Sequence, residues 1–150
     1  MKGLTHVFFG VGLVSAILAY LQVPIGLWGI GTFILAPIFS RLPDFDQKIA
    51  KITFNQLIPH RGILSHNFLY GLPIFLCFYV SDIPILLVAL ISVFGALFLH
   101  VFVDAFNSGG VWFGFFHLSF VNFRWDSFWG NSIFKLVGIG LLGISILVYI

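Results

Sequence analysis

The chain has no glutamate, one cysteine, one methionine and only five acidic and seven basic residues among 150. Charged residues make up 8% of it, against about a quarter in a soluble domain, so they cannot cover a water-facing surface. Soluble, disordered, collagen-like and coiled-coil classes are excluded on that ground. The lone Cys77 lies inside an apolar run, so there is no disulfide framework and an oxidising compartment is not implied. A net charge of +2 leaves no broad basic surface for nucleic acid. No internal repeat at solenoid spacing and no low-complexity segment stands out.

What is present is apolar residue, at 60%, with 20 Phe. Crossing about 30 Å of hydrocarbon takes roughly 20 apolar residues in helical form. Five runs qualify: about 4–21, about 25–41, about 66–81, 84–105 and 132–150. Gln22 and Pro24, the Arg41-Leu42-Pro43 break, Ser81-Asp82 and Asn107-Ser108-Gly109-Gly110 separate them. The third run is short and carries Pro73, which predicts a tilted or partly inserted span. The first has only Lys2 ahead of it and no cleavage region, so it reads as a retained helix and not a signal peptide. The predicted fold is all-α, one integral membrane domain over 1–150: a polytopic helical bundle with about five transmembrane helices and an aromatic interfacial loop.

Five crossings put residues 1–3, 42–65 and 106–131 on one face. Lys2, Arg41, Lys48, Lys51, Arg61, Arg124 and Lys135 fall on that face or at its edge, which the positive-inside rule makes cytoplasmic. The expected location is the plasma membrane, with the N-terminus inside and the C-terminus outside. The same division gathers His6, Asp44, Asp46, His60, His66, His100 and Asp104 on the cytoplasmic side. Ionisable groups at a membrane are costly and mark functional sites by default.

His100 and Asp104 are four apart on a helix and point one way, with Asn107 a turn further on. Such a pair can chelate a metal or merely hold helices together. In Leu42-Pro43-Asp44-Phe45-Asp46 a turn lets both carboxylates face one centre, although a solvated helix cap is the plainer reading of either. In His60-Arg61-Gly62-Ile63-Leu64-Ser65-His66 a turn at Gly62 precedes a helix opened by His66, and Arg61 is either a fixed cation for an anion or a topology residue. Nitrogen and oxygen donors without thiolate suit a divalent ion, zinc first, with manganese or iron as alternatives; the set is large enough for one ion or two. The loop 106–131 holds ten Phe or Trp, either an interfacial belt or a wall for an amphiphilic substrate, and His117 within it reads as interfacial.

Thr5-His6 with Gly10, Leu42-Pro43-Asp44-Phe45-Asp46, His60-Arg61-Gly62 with Ser65-His66, and His100 to Asp104 followed by Gly109 or Gly110 occur in an order that resembles the membrane-bound metal-dependent hydrolases whose bacterial members include a LexA-regulated inner-membrane protein. The likeness runs from about residue 5 to 115. It implies a polytopic helical protein with a metal site made from those His and Asp residues, and a hydrolase activity. Ser65 stands where Thr is usual and Asn67 where Ser is common, and the Phe-rich loop looks more like an archaeal branch.

The expected protein is a metal-dependent hydrolase acting on a lipid or lipid-linked phosphoester. His6, Asp44, His66, His100 and Asp104 are the expected metal ligands. Asp46 or His60 would complete a second ion or act as base, and Arg61 would bind the anion. Membrane lipids and an amphiphilic small molecule are the expected partners. The alternative is a metal-binding or metal-sensing membrane protein without turnover. A phosphohistidine phosphatase is disfavoured, because 93–99 contain no Arg. Carriers bind at the membrane midplane, whereas these residues lie at helix ends.

Overall fold

A computed structural model describes residues 3–54, 61–106, 110–119 and 128–150. It is mostly helical. Helix α1 (Gly3–Tyr20) ends where Gln22 turns to a left-handed φ of 53° and Pro24 follows. Helix α2 (Ile25–Phe39) starts behind Pro24 and widens into a π turn at Gly31–Leu35. Pro37, which has no N–H to donate, lies two residues past this turn. A short helix α3 (Phe45–Ile52) buries Asp46 and Ala50 on one side and leaves Phe45 and Ile52 exposed. Helix α4 (Pro84–Asp104) has its own π turn at Ile91–Gly95, and α5 (Phe128–Tyr149) closes the bundle.

Three helices, α1, α4 and α5, are long and apolar enough to cross a membrane. The expected spans near 25–41 and 66–81 are shorter. The first is the 15-residue α2. The second is a 3-10 helix, Phe68–Phe78, opened by Asn67, whose side-chain oxygen accepts from the Leu69 N–H at 3.1 Å. Pro73 lies inside it, and eleven residues at about 2 Å rise span only about 22 Å.

The helix directions bring distant residues together. Thr5 Oγ1 donates to Asn131 Oδ1 at 2.7 Å, and Tyr149 Oη donates to the Val23 carbonyl at 2.5 Å, so α1 and α5 run parallel. Between those ends they cross at two glycines. A Cβ on Gly12 would lie 2.6 Å from Gly138 Cα, and one on Gly138 would lie 2.9 Å from Phe9 Cα. This small-residue contact lets backbones approach where no hydrophobic force drives helices together. Helix α4 runs antiparallel to α1, which brings its C-terminal end beside the start of α1. The apolar core lies further along the bundle, around Val14, Leu18, Ala36, Val88 and Ile91.

The aromatic loop is not wholly irregular: it adds one small strand pair to the mostly helical bundle. Val111–Phe113 (β1) and Phe116–Leu118 (β2) form an antiparallel hairpin, with Trp112 opposite His117 and Gly114 at φ 60° in the turn. That positive φ fits a tight hairpin turn that only glycine makes cheaply. Arg124, Trp125 and Asp126, part of the same loop, lie outside the described residues, as does Asn107.

Gly138→Leu should force α1 and α5 apart and cost about 1–3 kcal/mol, the usual range for overpacking. It should lower the midpoint of thermal unfolding in detergent, while Gly140→Leu, where a Cβ meets nothing within 4 Å, should leave it unchanged.

Candidate metal centre

Four segments converge where α1 begins and α4 ends. His6 comes from the first turns of α1, Asp44 from the turn after α2, His66 from the residues before the 3-10 helix, and His100 and Asp104 from the last turns of α4. His6, His66, His100 and Asp104 are buried, and Asp44 keeps one third of its side chain exposed. His6 Nε2 lies 3.4 Å from Asp104 Oδ1, and His66 Nε2 lies 3.4 Å from Asp104 Oδ2. His100 Nε2 lies 3.6 Å from Asp44 Oδ1 and 3.8 Å from Asp104 Oδ2. The His6 and His100 rings stack with centroids 3.9 Å apart, and the His66 ring meets His100 edge-on at 5.3 Å. Burial pushes the Asp44 carboxyl above the usual carboxylate range; His6 offsets part of this and the Asp104 charge adds to it.

Two contacts set how the imidazoles face. His100 Nδ1 lies 2.7 Å from the Ser40 carbonyl oxygen, which can only accept, so Nδ1 carries the proton and Nε2 presents a lone pair to the carboxylates. His66 Nδ1 faces Asp46 Oδ2 at 3.3 Å, which turns its Nε2 inward in the same way.

Asp46 holds the turn together. Its Oδ2 accepts from the Arg61 backbone N–H at 2.7 Å and from Ser65 Oγ at 2.5 Å. Asp46 thus stands behind His66, not among the converging nitrogens. A turn does form at Gly62, whose carbonyl accepts from the Ser65 and His66 N–H groups at 3.1 Å each, and the left-handed residue ahead of it is Arg61, with φ 57°. That conformation is costly for a side chain larger than glycine's, and it brings Arg61 Nη2 to 3.3 Å from Asp104 Oδ2 with about a fifth of the side chain exposed. His60 lies outside the described residues.

The hairpin braces this turn. Trp112 Nε1 donates to the Arg61 carbonyl at 3.0 Å, and the Trp112 N–H donates to the His66 carbonyl at 2.8 Å. Asn67 Nδ2 donates to the Gly114 carbonyl at 3.1 Å, and the Gly114 N–H returns to Asn67 Oδ1 at 3.2 Å. Sequence reasoning missed Ser40 and Trp112, and it named Ser65 and Asn67 only as motif positions without their bracing contacts. Ser40 acts through its backbone, which no side-chain pattern reveals; Asn67, a polar residue beside His66 in an apolar run, was the one visible signal.

An apolar cavity of about 760 Å³ lies between the 3-10 helix and α4. Phe68, Leu72, Phe75, Ile91 and Phe98 are among the residues that line it, and Phe68 and Phe98 are two residues along the chain from His66 and His100.

Asp46→Ala removes the acceptor of the Arg61 N–H together with the Ser65 and His66 contacts, and an unmet buried donor costs about 1–3 kcal/mol. Ser65 keeps the Gly62 carbonyl as a second acceptor. Thermal unfolding in detergent should therefore show a larger drop for Asp46→Ala than for Ser65→Ala; equal drops would contradict this account of the turn.

The family described as YdjM inner membrane protein matches residues 1–148. No curated protein and no solved structure matches the chain. The match corrects the expectation of a metal-dependent hydrolase family, because the description it carries is a membrane location and not an activity. The His and Asp groups and the apolar helices are therefore those of a member of the YdjM inner membrane protein family.

Proposed function

We propose that the protein is a membrane-embedded metal-dependent hydrolase that holds a divalent cation, zinc first, with His6, Asp44, His66, His100 and Asp104. The observation that carries this reading is the spacing of the buried donors. Charge-assisted hydrogen bonds are about 2.7–2.9 Å long. The His6–Asp104, His100–Asp44 and His100–Asp104 separations are 3.4, 3.6 and 3.8 Å. Ligands about 2.0–2.1 Å from a tetrahedral zinc ion stand roughly 3.3 Å from one another, so the gap suits an ion between the donors better than a proton. His6 Nδ1 and His100 Nε2 are buried and make no hydrogen bond among the described residues. Each is a polar atom whose burial is unfavourable without a partner.

A divalent ion bound here supplies Lewis acidity and lowers the pKa of adjacent water. The chain's own residues supply the rest. The Ser40 carbonyl keeps the proton on His100 Nδ1, and Asp46 positions His66. Arg61, partly exposed and forked, receives an anionic group of the substrate. The apolar cavity takes the hydrocarbon part, which favours an amphiphile such as a lipid or lipid-linked phosphoester.

The membrane arrangement belongs to the same proposal. Helix α2 ends at the metal centre and α4 starts at the opposite end, so the chain between them must return along the bundle through Phe68–Phe78. Counting that segment and α2 as short crossings gives five, with the site and N-terminus cytoplasmic and the C-terminus outside. Arg41, Lys48, Lys51 and Arg61 support that orientation.

Asp104→Asn should abolish metal-dependent phosphoester hydrolysis and reduce bound metal while the protein still folds, measured by metal content and turnover on the same detergent sample. Bound metal in the native chain without turnover on any phosphoester or lipid ester would favour the sensor reading. As a test of orientation, a cysteine at Lys51 in a Cys77→Ser background should react in intact cells only with a membrane-permeant maleimide; labelling by an impermeant one would invert the arrangement.

A further inference from the structure

A constant offset of 60 positions maps the first part of the bundle onto the second. Thr5-His6 falls on Ser65-His66, Pro24-Ile25 on Pro84-Ile85, Thr32 on Ser92, Ala36 on Ala96 and Asp44 on Asp104, with no insertion between them. The backbone keeps the same offset: the π turn Gly31–Leu35 corresponds to the π turn Ile91–Gly95. Such turns account for well under 1% of residues, so two at one offset are a specific coincidence. Both carry a fully buried hydroxyl at the second position, Thr32 and Ser92. In each part the first element packs on the second, and α2 and α4 lie side by side, start to start and π turn to π turn. The first elements differ where Pro73 stands in place of Leu13. A proline N cannot donate, and the second copy winds as a 3-10 helix where the first is α.

We infer that residues 3–44 and 63–104 are tandem copies of one two-helix module and that the centre holds two divalent ions, one per copy. The inference rests on the metal reading above and deepens it. The donor atoms form two sets, His6 with Asp44 and His100, and His66 with Asp104 and His100, each within 4.8 Å of one another. The first two members of one set are the 60-residue equivalents of those of the other. His100 belongs to both sets, but with its Nδ1 proton given to the carbonyl of Ser40, its equivalent in the first copy, the single lone pair on Nε2 serves one ion only, so the carboxylate of Asp104 is the group that joins the two positions. Asp104 addresses both, with Oδ1 toward His6 and Oδ2 toward His66. That is the placement of a carboxylate shared by ions about 3.5–4 Å apart. A module that crosses twice returns to its starting face, so its repeat has the same orientation and both carboxylates reach one side, as in parallel membrane repeats.

The test is manganese stoichiometry. The full chain in detergent is stripped with chelator, reloaded with Mn²⁺, freed of excess, and measured for metal per chain and by electron paramagnetic resonance. The native protein should hold two ions per chain with a spin-coupled signal. The His6→Ala, Asp44→Asn variant should hold one, with the uncoupled signal of an isolated ion, and His66→Ala should also fall to one. One uncoupled ion in the native chain would overturn the two-ion inference and leave the metal reading standing, whereas none would overturn both. Loss of both ions from a folded His6→Ala, Asp44→Asn variant would also overturn it. The native measurement decides even where a variant does not fold.

Discussion

The hydrogen bond from His100 Nδ1 to the Ser40 carbonyl joins the architecture to the chemistry. It ties the end of α2 to the last turns of α4, and it decides which nitrogen of His100 faces the carboxylates. In an apolar bundle a freed helix-end carbonyl needs a donor, and the imidazole meets that need while its other face points into the centre. The stacked His6 ring, the Asp104 carboxylate and the Arg61 guanidinium are arranged around an orientation this contact has already set.

Around it, a layered support keeps costly groups in place. Asp46 gathers an N–H, a hydroxyl and an imidazole, and so holds Arg61 in a backbone conformation it would not otherwise favour. The hairpin then clamps that turn from outside through Trp112 and Asn67. Thr5 and Asn131 fix α5 against the start of α1, one residue from His6. The centre is therefore held by contacts from α1, α3, α4, α5, the Ser40 backbone and the hairpin, although its proposed ligands come from short, separated stretches.

Much of this was legible in the sequence, for a physical reason. Where charge is scarce and lipid surrounds the helices, each His or Asp stands out, and His6, Asp44, His66, His100 and Asp104 do meet. The three long helices were equally plain from length and hydropathy. The π turns, the 3-10 winding and the hairpin were not, because apolar residues in lipid carry little directional pattern and local backbone geometry depends on single residues such as Pro73 and Gly114 in context. Roles carried by the backbone, such as Ser40, leave no side-chain mark. The duplication was hidden because its period lies beyond solenoid spacing and because Leu, Ile, Val and Phe exchange freely on lipid-facing positions, leaving only the polar and proline landmarks aligned.

The central claim is that histidines and aspartates from distant segments share a divalent metal, and X-ray absorption at the zinc edge on the zinc-loaded, detergent-purified chain tests it most directly. The account predicts nitrogen and oxygen scatterers at about 2.0–2.1 Å with the outer-shell pattern of imidazole rings. That imidazole signal should weaken in His100→Ala. A sulfur shell at about 2.3 Å, which would implicate Cys77, or a shell of water oxygens without imidazole, would contradict it.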